Sequence, residues 1–268
     1  MTDYTIAVVK DTLIVLNLIG DFTKGLTLTE ATDVSGLGKN KVFRILHTLQ
    51  ESRMIYKDEN GRFHLGMRIS ELAQNVHVHD LLLDISSPIM DDLVELTQES
   101  IILGVVTDTN ALCIATRESP RSIRLFARVG IQSPLYKGGV PKVLLANMDA
   151  KDCEKLLAYF ERDLNTSQDQ VDWVKLRAKL AQIRMAGYSI TVDELDKGAH
   201  SITAPIFNSK GQVLAAMSIA GPSIRFSDEA IEHCISVILD ATDRISAALG
   251  YKTIDPLLVS SDVIIEFS

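Results

Sequence analysis

Two stretches of the chain carry residue types whose spacing could do chemistry. In GLGKNKVFRILHTL, residues 36–49, two glycines precede Lys39, Asn40, Lys41, Phe43 and Arg44, while Val42, Ile45, Leu46 and Leu49 recur at helical spacing. Such a helix anchors one face in a core and leaves the other wet. The glycines let a turn tighten and let the helix begin close to a phosphate, where free amides and the positive dipole end favour an anion. Lys39 and Lys41 add charge there. Arg44 can bond a phosphate or grip guanine with two bonds, Asn40 suits adenine, and Phe43 can touch a thymine methyl. The chemistry this implies is recognition of double-stranded DNA.

The second stretch, Lys137-Gly138-Gly139-Val140-Pro141, is a glycine loop opening a helix, with Pro141 at the position that tolerates its missing N–H. Backbone amides there can point at a carboxylate. Ser201 and Ser218, on neighbouring predicted strands, can donate hydroxyl protons to the same anion. Arg121, Arg124 and Arg128 do not all share one face of an extended segment, and Arg124 is assigned to the pocket. Each feature also has a plainer reading: a solvated basic face, a simple turn, sheet serines satisfied by backbone, and surface positions for His200 and Asp193.

Other chemistries lack their residues. No GxSxG, HExxH, P-loop or post-strand GxGxxG is present, and Asp193-Glu194, adjacent on a strand, point to opposite faces, a poor geometry for paired acid and base work. Cys113, Cys153 and Cys234 are far apart and without CxxC spacing, so they read as buried free thiols. His77-Val78-His79-Asp80 ends a predicted helix, which argues against a zinc site. No cofactor is implied.

The elements that must position these residues fall into two units. Ile6 to Gly20 reads as a helix buried on a wide face, and LTLTEATDV as a short helix capped by Thr27 or Thr29. Ser35-Gly36-Leu37-Gly38 then breaks the chain before the 36–49 helix. Met54–Lys57 and Arg62–Leu65 flank an Asn60-Gly61 hairpin signal. Helix, short helix, turn, helix and hairpin form a winged helix-turn-helix over 1–66, with Thr29 and Arg62 counted among the DNA-facing residues. Residues 39–68 hold seven Lys and Arg against three Asp and Glu, although the chain as a whole is −8.

A connecting helix over 67–79 leads to a second unit, 80–250, and a tail, 251–268. Ile85 to Thr97 reads as an amphipathic helix. Strands are predicted over IILGVVT, ALCIAT and SIRLFAR (101–107, 111–116, 122–128), then over about 188–193, 200–207 and 212–219. Helices are predicted at about 141–148, 151–160, 171–186 and 227–249. The fold class is α+β, an antiparallel sheet flanked by helices. The 46% hydrophobic and 23% charged residues are ordinary globular usage. An acidic start and the lack of a run near the roughly 18 apolar residues of a spanning helix predict a cytoplasmic protein without membrane contact.

LTLTEATDVSGLGKNKVFRILHTLQESRMI followed by GRFHLGMRISELA resembles the N-terminal domain of the isocitrate-lyase-regulator (IclR) family of bacterial transcription factors. The resemblance continues through DLLLDISSPIMDDLVELTQES, RVGIQSPLYKGGVPKVLLA and RMAGYSITVDELDKGAHSITAPIFNSKGQVLAAMSIAGPSIRFSD, covering about residues 6–250. It implies a GAF-like effector domain that senses small organic or aromatic acids. On that pattern Gly139 and Val140 match the amide-donating loop, Ser201 stands at the place of a frequent cysteine, and Ser218 is the first serine of an SxSGP motif. Ala220 replaces the second serine, Pro141 a glycine, Val140 an alanine, Tyr136 a histidine and Thr191 a carboxylate, which implies an effector less polar or larger than glyoxylate or pyruvate.

The expected function is therefore a repressor or activator of catabolic genes, a homodimer or tetramer bound to operator DNA and tuned by a small-molecule effector. Effector capture is expected to alter the angle of the wings through the connecting helix. An enzyme fused to a DNA-binding domain is the alternative; a winged helix used only for protein pairing is a third reading, without salt-sensitive DNA binding.

Overall fold

The computed structural model describes residues 5–73, 78–164 and 171–252 and divides into two compact units, Met1–Val78 and His79–Ser268. In the first, α1 (Ala7–Asp21), α2 (Leu28–Ser35) and α3 (Lys39–Glu51) precede the hairpin β1 (Ile55–Lys57) and β2 (Phe63–Leu65), then α4 (Met67–Ala73). Their core joins Val15 and Ile19 of α1, Ala31 of α2, the predicted Val42, Ile45, Leu46 and Leu49 of α3, and Ile55 and Phe63 of the hairpin.

The ends of these helices follow local chemistry. Thr27, rather than Thr29, caps α2: its hydroxyl accepts the Glu30 amide while the Glu30 carboxylate accepts the Thr27 amide, a reciprocal capping box. Thr29 is exposed on the helix. Gly36 closes α2 at φ 66°, a left-handed position that a side chain would strain. At the hairpin tip the Gly61 amide donates to Asp58 O with Gly61 at φ 78°. The Asp58 carboxylate accepts from Asn60 and Arg62 amides and from His64, which hold its pKa below the usual carboxylate range. The Asn-Gly pair thus completes a longer loop with a left-handed glycine instead of a two-residue turn.

In the second unit α5 (Val78–Thr97) leads into an antiparallel sheet ordered β5-β4-β3-β8-β7-β6. Its strands are β3 (Ser100–Thr107), β4 (Asn110–Arg117), β5 (Gln132–Pro134), β6 (Ser189–Val192), β7 (Ala199–Phe207) and β8 (Val213–Pro222). α9 (Asp228–Ala248) and α5 cover one face, packing Ile238, Ala241, Ile245, Leu82, Met90 and Leu93 onto Ile101, Leu103, Ile202, Ala204 and Met217. The other face carries α6 (Gly139–Asn147), α7 (Ala150–Leu164) and α8 (Trp173–Ala186), whose Leu144, Leu145, Leu157 and Ile183 share a core with Ala111 and Ala216. Burial raises the pKa of all three thiols, that of Cys234 to about 11, which makes them poor nucleophiles at neutral pH.

One predicted strand does not form. Residues 122–128 are irregular, with Ile123 and Phe126 exposed. The edge of β4 is instead taken by β5 and by the Gly130 and Ile131 backbone, which bonds to Cys113. The excursion is held by side chains: Ser100 Oγ donates to Leu125 O, Ser119 Oγ to Gln98 O, and Arg225, gripping the buried Glu99 with two bonds, reaches Ile123 O. The expected connecting helix is present as α4 up to Ala73; its continuation over 74–77 lies outside the described residues, as do His77 and most of the 251–268 tail.

Because the capping box engages Thr27 alone, Thr27→Ala should lose about 1 kcal/mol of stability in urea denaturation. Thr29→Ala should stay within about 0.5 kcal/mol of the native protein.

Candidate functional site

On the DNA side, α3 turns its four apolar residues inward and leaves Lys39, Asn40, Lys41, Phe43 and Arg44 exposed. Gly38 starts the helix without a side-chain cap, and although the Lys41 amide turns back to Gly38 O, the Lys39 and Asn40 amides stay available to an anion. Lys41 pairs with Asp11 of α1 at 2.8 Å, whereas Lys39 and Arg44 form no ion pair among the described residues. Phe43 is 56% exposed, with its ring 6.4 Å from that of His47, another exposed residue of the same face that sequence reasoning passed over. Arg62, expected among the DNA-facing residues, is engaged within the unit: its guanidinium donates to both Glu30 oxygens and to Gly25 O, clamping the wing to α2. Its partner lies 32 residues away, so local sequence gave no sign of the pairing.

On the effector side, a cavity of about 380 Å³ opens between the head of α6 and the sheet. Ile102 and Gly104 of β3, Ser201 of β7 and Ser218 of β8 form its floor, Gly138 to Pro141 one wall, and Leu125 to Arg128 with Ile131 another. Thr191, Glu194 and Leu195 complete it. Six of the eight expected effector residues therefore converge: Gly138, Gly139, Val140, Thr191, Ser201 and Ser218. Two do not. Tyr136 packs edge-on against Phe160 and Trp173, with ring centroids 5.2 and 6.1 Å away. Arg124 pairs with Glu118 at 2.9 Å, and Arg128 lines the cavity in its stead, because the segment lacks the strand geometry on which the assignment rested.

Glycine makes the close approach possible. A Cβ on Gly139 would run into Thr203 Oγ1 and Ser201 Oγ, and one on Gly104 would meet Val140 Cγ1 at 2.6 Å. The hydroxyls surrounding this contact form two pairs, Thr191 Oγ1 with Ser201 Oγ at 2.6 Å and Thr203 Oγ1 donating to Ser218 Oγ at 2.9 Å. Ser218 thus accepts from Thr203 and keeps its own proton for a ligand. Pro141 has no amide, so Gly139 and Val140 supply the remaining first-turn donors of α6. The Gly138 amide donates to Glu194 Oε2 at 3.1 Å, and Lys142 Nζ, with only 7% of its side chain exposed, donates to Glu194 Oε1. Sequence reasoning missed this buried pair because its members are 52 residues apart.

His200 is buried, against expectation. Its neighbour Ser201 faces α6, so alternation turns the imidazole to the opposite side of the sheet, where it stacks on Phe226 at 4.4 Å and leaves Nε2 without a partner. Burial pushes its pKa below the ordinary value, and Asp193 offsets this only in part. Among the described residues no group of three His, Cys, Asp or Glu could hold a metal, and no helix is long and apolar enough to cross a membrane.

Comparison with known proteins matches both units. The domain described as "Bacterial transcriptional regulator IclR C-terminal" matches residues 73–247, and the "IclR helix-turn-helix domain" matches residues 12–59. The HTH-type transcriptional regulator KipR of Bacillus subtilis is 29% identical over 226 residues, 84% of this chain and 90% of that protein. KdgR of Escherichia coli is 28% identical over 238 residues, 88% of this chain and 90% of its own length. The crystal structure of Pseudomonas aeruginosa HmgR shares the fold at a TM-score of 0.74 with 20% identity, covering 92% of this chain and 99% of that one.

A histidine kept neutral by burial binds fewer protons in the folded than in the unfolded chain. Its contribution is therefore complete above the ordinary pKa of 6.5 and declines as the pH falls below it. His200→Phe, which keeps the stack, should lose less melting temperature than the native protein between pH 7 and pH 5; an equal loss would show that His200 does not govern this slope.

Proposed function

The chain belongs to the IclR family of bacterial transcriptional regulators, and on that premise we propose that it binds an operator through α3 and changes its occupancy when a small organic or aromatic acid fills the cavity at the head of α6. Its relatives are regulators, not enzymes, so the reading of a catalytic domain fused to a DNA-binding one is set aside. The observation that carries the proposal is the division of α3 into a buried apolar face and an exposed face bearing Lys39, Asn40, Phe43 and Arg44, within a chain of net charge −8.

Two features support the finer reading. A net negative chain is repelled by DNA at long range, so binding rests on the local basic face. A glycine-built cavity with amide and hydroxyl donors on one side and Ile102, Leu125, Ile131 and Leu195 on the others suits an acid with a hydrocarbon body. A homodimer, or a pair of dimers, acting in the cytoplasm on catabolic genes completes the proposal. Two recognition helices about 34–36 Å apart would read a partial palindrome. Any ligand effect requires unequal affinity for the two operator-binding states.

Replacing Arg44 with Ala should weaken operator binding and lower the slope of log K against log salt by about 1, as measured by fluorescence anisotropy. An unchanged slope and affinity would remove Arg44 from the interface. Ser218→Ala should bind operator as the native protein does without metabolite and respond less to acids from the neighbouring pathway, read in parallel by thermal shift and anisotropy.

A further inference from the structure

We propose that Glu194, together with Asp196, sets the charge of the effector: the cavity admits a monocarboxylate with an apolar body and turns away a dicarboxylate. This rests on the reading of the cavity as the effector site. Both carboxylates line it. Glu194 is held in place by the Gly138 amide and by Lys142, whose ammonium is buried. Withdrawing Glu194 would leave that ammonium buried without a counter-charge, so the carboxylate stays when a ligand enters.

The pairing determines what remains for the ligand. Lys142 is already neutralised, and the Gly138 amide is already taken. The Gly139 and Val140 amides, the Ser218 hydroxyl and one proton of the Thr191–Ser201 pair are left, neutral donors grouped at the head of α6 and sufficient for the two oxygens of one carboxylate. Arg128 is the remaining cation of the wall; its guanidinium lies 4.8 Å from the Phe126 ring centroid and forms no ion pair among the described residues. Asp196 likewise has no ion-pair partner among them and offsets Arg128. Lys142 and Arg128 against Glu194 and Asp196 leave the site neutral, so a monoanion adds one uncompensated charge and a dianion two. A second carboxylate turned toward Ile102, Leu125, Phe126, Ile131 or Leu195 would lose water where no side chain donates, and one turned toward Arg128 would enter a wall that the Asp196 carboxylate also lines.

The test uses the full-length protein and two matched pairs of probes, benzoate with isophthalate and hexanoate with adipate, in calorimetric and thermal-shift titrations. The native protein should bind each monoacid roughly tenfold or more tightly than its diacid partner. Glu194→Gln should narrow that gap by raising diacid affinity. Because this variant takes the counter-charge from Lys142 and can lose stability, Asp196→Asn, at an exposed position, provides the independent variant and should narrow the gap as well. Diacids binding the native protein as tightly as monoacids, or a gap unchanged in both variants, would overturn the charge filter while leaving the effector site intact. Failure of all four probes to bind would overturn the site reading and the filter with it.

Discussion

A helix approaches a sheet only as closely as the side chains between them allow, and in the larger unit two glycines set that distance. Gly139 places α6 backbone against the hydroxyls of Thr203 and Ser201, and Gly104 leaves room for Val140 on the sheet surface. An alanine at either place would have to displace these side chains from the contact. The cavity, the orientation of the α6 amides and the reach of Lys142 to Glu194 all follow from this contact. The same closeness buries an ammonium, and a buried ammonium requires a fixed carboxylate, so packing and electrostatics are two results of one constraint.

Charge is organised differently in the smaller unit. Lys41 is tied to Asp11 and Arg62 to Glu30, so part of its positive charge holds the helices and wing in register. Exposed pairs of this kind add little stability, but they fix side-chain position. Lys39 and Arg44 are left unpaired among the described residues, at the start of a helix whose first amides lack a cap. A duplex can therefore gain ion pairs here without first breaking internal ones, while the rest of the chain stays acidic and discourages indiscriminate coating.

Much of this was legible in the chain because it depends on short-range rules. Helical spacing separated Val42, Ile45, Leu46 and Leu49 from the polar face of α3, and strand-forming runs located β3, β4 and β7 within one residue and β8 within three. The choice between Thr27 and Thr29 could also have been settled from sequence, since only Thr27 has a glutamate three residues on. The failures share a cause in distance along the chain. Residues 122–128 carry strand-like composition, but whether they pair depends on Cys113, whose backbone is claimed by Gly130 and Ile131. The contacts of Arg62, Lys142 and Tyr136 were missed because Glu30, Glu194, Phe160 and Trp173 reach them only in the folded protein.

The most direct measurement is equilibrium binding of the full-length protein to the promoter fragment beside its own gene and to random duplex of equal length, at fixed moderate salt. A regulator that reads base edges through α3 should prefer the promoter by roughly a thousandfold or more, with the preference altered by an acid that fills the cavity. Equal affinity for both duplexes, with and without such acids, would contradict the account.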